Sequence, residues 1–343
     1  MPIQTPPRPP RPRTPHFATA LALATLTTPA LAAPPDYGLD FVTVGDPGNR
    51  AATEAEAPLL YNPLARPVAN PGAVGYEFRM MRNEVTNAQW VEFLNAYAPF
   101  SPDPFPLTAL IGRYPDGTYD YEAGTGNYAI DSASFQNAAR FCNWLHNGKV
   151  NEAWAFETGA YDTSLFTFDS NGWPTDTNTR LPGAKFWIPS ASEWIKAMHY
   201  DPHKDGPNQP GYWTYPHSSD EPPEPGESDI HYRWSQGEDP TRRWGSPIGL
   251  FPDSQSPWGL LGGSGGSTEL METTIAPGVR LYNPSKFASL GDTFFDRIDL
   301  ILDTSSSIPG TGFRLAAAPI PAPGALLAGF IVILVAPRTR KRS

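Results

Sequence analysis

The pattern of apolar and polar positions along the chain predicts short strands separated by turns. Residues Phe41–Val44 are aromatic and β-branched and run into a Gly-Asp-Pro-Gly turn, which is typical of a strand. Tyr76–Met81 and Lys185–Ile188 have the same character. Pro115-Asp116-Gly117 lies between two alternating stretches and predicts a hairpin. We therefore expect small sheets built from short strands.

Three segments carry the period of an amphipathic helix, and each begins with a residue suited to an N-terminal cap. In two of them a Glu or Gln follows three residues after the cap, which completes a capping box. The predicted caps are Thr86 with Gln89, Ser134, and Ser190 with Glu193. We expect Gly148 to close the second helix and Asp201-Pro202 to end the third.

The single cysteine of the chain falls on the apolar stripe of the second predicted helix. The stripe consists of Phe135, Ala138, Ala139, Cys142 and Leu145. With one cysteine no internal disulfide can form. The helical stripe predicts that Cys142 is a buried, small hydrophobic residue.

Composition indicates a folded chain with few regular elements. Among 343 residues, 10 Trp, 14 Tyr and 18 Phe are too many for a disordered chain. Equally, 41 Pro and 30 Gly are too many for long helices or wide sheets. Residues 206–266 in particular predict loops, with Trp213, Trp234, Trp244 and Trp258 expected to be buried. No repeat is visible in the sequence, which argues against solenoids and propellers.

The net charge of −10 is unevenly distributed. Arginines and a lysine cluster at the two ends, within Arg8–Arg13 and Arg338–Arg342, so the part between them is more acidic than the whole chain. An acidic body lacks the basic footprint that nucleic acid requires, and no nucleic-acid partner is expected.

Both ends predict targeting signals. At the N-terminus, arginines precede the apolar stretch Phe17–Leu26, and Ala30-Leu31-Ala32 fits the small-residue rule for cleavage, so residues 1–33 are expected to be a signal peptide. At the other end, Ala325–Ala336 would span about 18 Å as a helix, less than a hydrocarbon core of about 30 Å. The basic cluster that follows is expected to stay cytoplasmic, which leaves the body outside.

Residues 319–343, "PIPAPGALLAGFIVILVAPRTRKRS", resemble the PEP-CTERM class of bacterial sorting signals, in the variant that begins Val-Pro-Leu-Pro-Ala. The resemblance implies recognition by an exosortase-type sorting enzyme and cleavage near Pro319–Pro323. It also implies membrane contact through the short transmembrane helix until that cleavage. The protein would then be secreted across the inner membrane and reach the cell surface or extracellular matrix.

Six stretches between the two signals resemble, in the same order, the formylglycine-generating enzyme or sulfatase-modifying factor family. They are "EVTNAQWVEFLNA", "SFQNAARFCNWLHNG", "GAKFWIPSASEWIKAMHYDP", "GYWTYPHSSD", "SPWGLLGGSGGSTELMET" and "GFRLA". They lie between Phe41 and Ala316, nearly the whole mature chain. The resemblance implies a compact α+β fold akin to C-type lectins, with short elements and extensive irregular loops, in a domain over residues 34–318.

For active members, the resemblance implies a copper-dependent oxidation of a sulfatase cysteine to formylglycine. Two cysteines near the C-terminal end of the domain carry that reaction, and copper(I) selects such thiolate ligands. This chain has no cysteine between Gly266 and Phe313. We therefore expect no catalytic residue of this kind, no copper and no oxidising activity.

Calcium is the second metal that the resemblance implies. Some members bind it at a Gly-Gly-Asn turn, which appears here as Gly265-Gly266-Ser267-Thr268-Glu269, without the asparagine. Ser267 and Glu269 could contribute hard oxygen ligands. The loss of the asparagine favours the alternative, a solvated or capping role for both residues.

Two other patterns resemble metal sites, and we interpret both as ordinary surface features. His199 and His203 have the spacing of a helical metal pair, but Pro202 breaks that helix, so both are predicted to be surface histidines. The stretch "FDSNGWPTDTNT" resembles a calcium loop but lacks its order of carboxylates, so a turn is predicted.

The function expected first is a non-catalytic module that binds a ligand or protein on a loop-built, aromatic-rich face. Its candidate residues are Tyr212, Trp213, Tyr215 and Trp234, for which core packing is the alternative. The sequence leaves two further functions open. One is a formylglycine-generating oxidoreductase or other metal-dependent enzyme of the family, and the other is a structural protein of an extracellular matrix.

Overall fold

Short regular elements joined by long loops make up the fold, as the proline and glycine content predicts. The structure is a computed structural model that describes residues 36–62, 68–101, 108, 110–131, 133–224, 226–228, 245–286, 293–304 and 311–320. The helices within them are α1 (Pro58–Tyr61), α2 (Asn87–Tyr97), α3 (Phe135–His146), α4 (Ala153–Glu157) and α5 (Ala191–His199). The strands are β1 (Phe41–Val44), β2 (Phe78–Met81), β3 (Ile111–Arg113), β4 (Tyr119–Tyr121), β5 (Phe186–Trp187), β6 (Tyr200–Asp201), β7 (Gly211–Tyr212), β8 (Thr268–Ala276), β9 (Val279–Asn283), β10 (Leu302–Thr304), β11 (Thr311–Gly312) and β12 (Ala316–Ala317).

Two four-stranded sheets organise most of these strands. The first has the order β1-β2-β12-β5 and is antiparallel throughout. Met81 pairs with Phe41 and Met80 pairs with Ala316, so the beginning and the end of the domain meet in one sheet. The second sheet has the order β10-β9-β8-β11, and only β11 runs parallel to its neighbour. The β3–β4 and β6–β7 pairs are separate hairpins.

Both predicted capping boxes are present. The Thr86 hydroxyl accepts from the backbone N–H of Gln89, whose side chain accepts from the backbone N–H of Thr86. Ser190 and Glu193 repeat this exchange at the start of α5. The predicted cap of α3 is also confirmed, because the Ser134 hydroxyl accepts from a backbone N–H in the first turn. These local contacts fix where the helices start.

Aromatic rings of α2 and α3 form the centre of the core. The Trp90 ring lies 4.9 Å from Phe93 and 5.5 Å from Phe313, centroid to centroid. Phe93 meets Phe141 of α3 edge to face at 5.4 Å. The apolar stripe predicted for α3 is buried along its whole length. Helices and mostly antiparallel sheets around one core give the chain an α+β fold, as predicted.

Predicted strand boundaries shift by one or two residues. β2 begins at Phe78 and not at Tyr76, whose side chain is 44% exposed. Trp213 and Trp258 are partly buried, whereas Trp234 and Trp244 lie outside the described residues. The predicted signal peptide and most of the predicted sorting segment lie outside them as well. Among the residues that the structure describes, no helix is long and apolar enough to cross a membrane.

Candidate functional site

The only thiol of the chain is sealed inside the core. Cys142 lies in α3 and has no exposed surface. Burial raises the pKa of the Cys142 thiol well above its usual range, and the nearby Glu272 carboxylate raises this pKa further. The prediction of a buried cysteine is confirmed. A protonated thiol without access to solvent is neither a nucleophile nor a metal ligand.

The glycine-rich turn before β8 is built around a buried carboxylate. Glu84 reaches into it, and its Oε1 accepts from the backbone N–H of Ser267 at 3.2 Å. Gly266 has a φ of +64°, and a Cβ at this position would lie only 1.9 Å from Glu84 Oε1. Glycine is therefore required both by the backbone conformation and by the close approach of Glu84.

An arginine neutralises the carboxylates at this turn. Arg314 is fully buried and donates from Nε to Glu269 Oε2 at 2.7 Å and from Nη2 to Glu269 Oε1. The indole N–H of Trp194 donates to the same carboxylate at 2.9 Å. The remaining guanidinium N–H groups donate to the backbone carbonyls of Met81, Arg82 and Leu261. All five donors of Arg314 are thus satisfied.

This arrangement bears on the calcium prediction for Ser267 and Glu269. Both residues are buried and not solvated, with Ser267 only 3% exposed. Both oxygens of Glu269 accept from Arg314, so a calcium ion here would have to displace the arginine. Among the described residues, no three His, Cys, Asp or Glu side chains are grouped so that they could hold a metal ion. Calcium at this turn stays a prediction, and the residues present do not fit it.

Two of the four aromatic residues predicted to bind a ligand, Tyr212 and Tyr215, lie in the core. Tyr212 is 2% exposed, and its hydroxyl accepts from Asn49 Nδ2 and donates to the Arg50 carbonyl, both at 2.8 Å. Tyr215 is also buried. Trp213 is half-buried, with its indole N–H on Asp201 and the Lys204 ammonium 4.6 Å from its ring centroid. Trp234 lies outside the described residues. The core-packing alternative therefore describes Tyr212 and Tyr215.

The prediction of two surface histidines is wrong for His199. Its ring is fully buried, and Nδ1 donates to the Trp213 carbonyl at 3.0 Å, which leaves Nε2 without a partner among the described residues. Desolvation lowers the pKa of His199 to about 3. The helix ends before Pro202 as predicted, but the β6–β7 hairpin folds back over the helix end and buries the ring, which the sequence did not show. His203, after the helix, is exposed as predicted.

A hairpin at Thr167–Thr175 exposes large aromatic side chains, whereas Tyr212 and Tyr215 are buried. Phe168 is 54% exposed and Trp173 is 50% exposed. The backbone N–H of Thr175 donates to the Thr167 carbonyl, and that of Asp169 donates to the Trp173 carbonyl. The segment was predicted as a turn, which is confirmed. The sequence did not lead us to predict that its aromatic side chains are exposed, although a tryptophan beside Asp, Asn and Gly in a turn indicates an exposed position.

One face of this hairpin carries Trp173 together with polar side chains. Thr167 pairs with Thr175 and Asp169 with Trp173, while Phe168 pairs with Pro174 between them. Because side chains alternate along antiparallel strands, the first two pairs share a face and Phe168 points to the other. The hydroxyls of Thr167 and Thr175 lie 2.8 Å apart, as this requires. We call Thr167, Asp169, Trp173 and Thr175 the hairpin face, and all four are exposed.

The hairpin is held rigidly at both ends. At its tip, Asp169 Oδ1 accepts from the backbone N–H groups of Asn171 and Trp173, and these bonds lower the pKa of Asp169. At its base, Asp176 forms a buried ion pair with Arg280 at 2.8 Å. Gly278, in the turn between β8 and β9, packs so closely that a Cβ there would lie 1.8 Å from the Pro174 carbonyl oxygen. The hairpin face is therefore a preformed surface.

A concave surface lies beside the β3–β4 hairpin. It encloses about 350 Å³ and carries Arg113, Tyr114, Asp120 and Glu122 along its wall. Thr108 and Leu110, which also line it, flank residues 102–107 and 109 that lie outside the described part of the chain. We therefore place the candidate site on the hairpin face, whose own residues are all described.

Three solved structures are similar to this chain over most of its length, at low identity. CarF is 14% identical with a TM-score of 0.47, over 82% of this chain and 98% of CarF. Variable protein 1 of Treponema denticola is 13% identical with a TM-score of 0.45, over 81% and 95% of the two chains. PvdO of Pseudomonas aeruginosa is 13% identical with a TM-score of 0.46, over 81% and 94%. No curated protein matches the sequence.

The family is shown by a sequence model. The model described as "Sulfatase-modifying factor enzyme 1-like domain" matches residues 42–317, which is most of the chain. The six signature stretches lie within this match or at its edge. The chain therefore belongs to the sulfatase-modifying factor enzyme 1-like domain family.

Proposed function

We propose that this chain is an exported, non-catalytic binding domain of the family that is displayed at the cell surface or in an extracellular matrix. The observation that carries the proposal is its single thiol, which is fully buried. Oxidation at a copper(I) thiolate pair requires two accessible sulfurs. This chain cannot supply them, because it has one cysteine and that residue is part of the α3 core.

A binding function is supported by the contrast between a well-anchored hairpin and its exposed side chains. Many large aromatic residues in the described part of the chain are buried, whereas Trp173 leaves half of its surface open. The backbone bonds of Asp169 and the Asp176–Arg280 pair fix the hairpin before any ligand arrives. A preformed surface loses little conformational entropy when it binds.

Export is supported by the two terminal signals of the sequence. Residues 1–33 have the order of a signal peptide, and residues 319–343 resemble a PEP-CTERM sorting segment. In the proposal, an exosortase-type enzyme processes the C-terminal segment, and the domain body remains outside the inner membrane. Mass spectrometry of the mature protein tests this part through the two new ends, expected near Ala32 or Ala33 and near Pro319–Pro323.

The absence of oxidation is tested with a peptide that carries a sulfatase-type cysteine. The mature chain is incubated with this peptide, copper(I), oxygen and a thiol reductant, and the peptide mass and oxygen consumption are followed. We expect no aldehyde and the same oxygen consumption for the wild type and for Cys142→Ala. Aldehyde formation that is lost in Cys142→Ala contradicts the proposal.

The binding part is tested separately with extracted cell-surface and matrix material. Fractions of polysaccharide and of protein are immobilised and titrated with the mature chain. Saturable binding to at least one fraction is expected. Absence of saturable binding to every fraction, from a chain that unfolds cooperatively, contradicts the binding function.

A further inference from the structure

We infer that the hairpin face of Thr167, Asp169, Trp173 and Thr175 binds a saccharide without negative charge. This inference rests on the proposed binding function and gives it a site and a ligand class. Asp169, Trp173 and Thr175 were predicted only to form a turn.

The Trp173 ring offers an open aromatic surface beside polar groups. The face of an indole carries partial negative charge, which attracts the weakly positive C–H groups of an aliphatic ring. A sugar ring has C–H groups on its faces and hydroxyls at its rim. Since Trp173 is 50% exposed on a hairpin that projects its side chains outward, a sugar ring can stack on the indole.

The hydroxyl rim of such a sugar meets matching groups on the same face. Asp169 lies directly across from Trp173; since its Oδ1 accepts from backbone N–H groups of the turn, its Oδ2 is the oxygen that can accept from sugar hydroxyls. The Thr167 and Thr175 hydroxyls lie two residues further along, roughly 7 Å away at the rise of an extended strand. Because these two hydroxyls bond to each other at 2.8 Å, one of them keeps its proton for a ligand. The face thus combines one stacking surface with donors and acceptors at its edge.

Charge excludes an anionic ligand from this face. The sequence from residue 150 to residue 179 contains neither lysine nor arginine, and it includes Asp162, Asp169 and Asp176. The arginines that follow are already engaged, since Arg180 binds Glu193 and Glu272 and Arg280 binds Asp176. An anionic polysaccharide or an anionic membrane would face the Asp169 carboxylate, and the nearby Arg140 is already paired with Glu157. A neutral or amine-bearing saccharide would not meet this repulsion.

Affinity electrophoresis of the mature chain tests the inference. Native gels contain increasing amounts of one polysaccharide each: a neutral glucan, a neutral mannan, a chitosan and an anionic alginate. We expect at least one of the first three to retard the wild type with saturable dependence on concentration. Trp173→Ala should raise the dissociation constant at least tenfold, and Thr175→Val, which removes only a hydroxyl, about threefold.

Trp154→Ala is the matched control. Trp154 is 54% exposed, nearly the same as Trp173, but lies on α4 outside the hairpin face. Its loss should leave the retardation unchanged. All variants are first checked for wild-type denaturation midpoints.

Three results would overturn the inference. They are retardation by alginate alone, no retardation by any of the three other polymers, and retardation of Trp173→Ala equal to that of the wild type. None of these contradicts the proposed binding function if the chain still binds a cell-surface fraction. The inference and the proposed function can therefore fail independently.

Discussion

Two regions contain similar side chains in opposite surroundings. They are the cluster that Arg314 forms with the glycine-rich turn before β8, and the hairpin at Thr167–Thr175. Around Arg314, the Trp194 indole and the Glu269 carboxylate are buried, and each polar group has a protein partner. On the hairpin, the Trp173 indole and the Asp169 carboxylate are exposed. The first region belongs to the signature stretches of the family, whereas the second does not.

The signature residues around Arg314 hold the fold, and the proposed binding surface lies outside them. A buried tryptophan whose N–H already donates to a carboxylate cannot offer either group to a ligand. An exposed tryptophan on an anchored hairpin can offer its ring to a ligand. Substitutions in the first region should therefore change stability, and substitutions in the second should change binding alone.

Removing the buried arginine should have the largest effect. Arg314→Met leaves Glu269 and Glu84 as buried carboxylates without their cation, and we expect a loss of about 3–5 kcal/mol in the free energy of unfolding. Chemical denaturation measures this. The control is Arg82→Met, because the Arg82 and Asp40 side chains are 34% and 65% exposed, and its expected loss is within about 1 kcal/mol. Equal losses for the two variants would contradict the comparison.

Acid should destabilise the domain through His199. Its pKa of about 3 in the fold lies below the value of about 6.5 in the unfolded chain, so the unfolded chain binds more protons between these values. The stabilisation is complete above pH 6.5 and is lost as the pH falls toward 3, by up to about 3 kcal/mol at pH 4.

The pH effect is isolated by comparison with His199→Asn. The asparagine amide retains a donor near the Trp213 carbonyl but does not titrate. Burial also lowers the pKa of His217, and this contribution remains in both proteins and cancels. Denaturation at pH 7.5 and at pH 4 should show a smaller difference for the variant. An identical pH dependence would show that His199 is not buried in neutral form.

Loss of the Tyr212 hydroxyl should lower the free energy of unfolding by less than loss of the Arg314 side chain does. Tyr212→Phe removes two buried hydrogen bonds, to Asn49 and to the Arg50 carbonyl, and we expect a loss of about 1–2 kcal/mol in unfolding free energy. Tyr114→Phe serves as control, since Tyr114 is 54% exposed, and should change stability by less than about 0.5 kcal/mol. If Tyr212→Phe instead weakened ligand binding at unchanged stability, Tyr212 would belong to the binding surface after all.

Trp173→Ala should have the smallest effect on stability. The side chain is exposed and contributes little to the core, so the free energy of unfolding should stay within about 0.5 kcal/mol of the wild type. Thermal and chemical denaturation measure this. A loss of several kcal/mol would mean that Trp173 supports the hairpin instead of presenting a surface.

Elements determined by neighbouring residues could be predicted from the sequence. The capping boxes at Thr86 and Ser190 depend on groups three residues apart, and the buried position of Cys142 follows from the helical period. The family could be predicted too, because its signature stretches keep their order along the chain.

Features that depend on distant parts of the chain could not be predicted. Tyr212 is buried because Asn49, 163 positions earlier, bonds its hydroxyl. His199 is buried because Trp213 folds back over the end of α5. Glu269 is bound by Arg314, which lies 45 positions later. The sequence shows the residue types but not these partners, so it could not separate aromatic residues that pack from those that remain exposed.

The burial of Cys142 is the central claim, and its reaction with N-ethylmaleimide tests it most directly. At pH 7.5 we predict that the native chain reacts more slowly than the chain unfolded in denaturant, by a factor on the order of 10³ or more, because only unfolded molecules expose the thiol. Mass spectrometry follows the single addition. Stoichiometric labelling of the native chain at the rate of a free thiol would contradict the claim that this domain has no thiol available for chemistry.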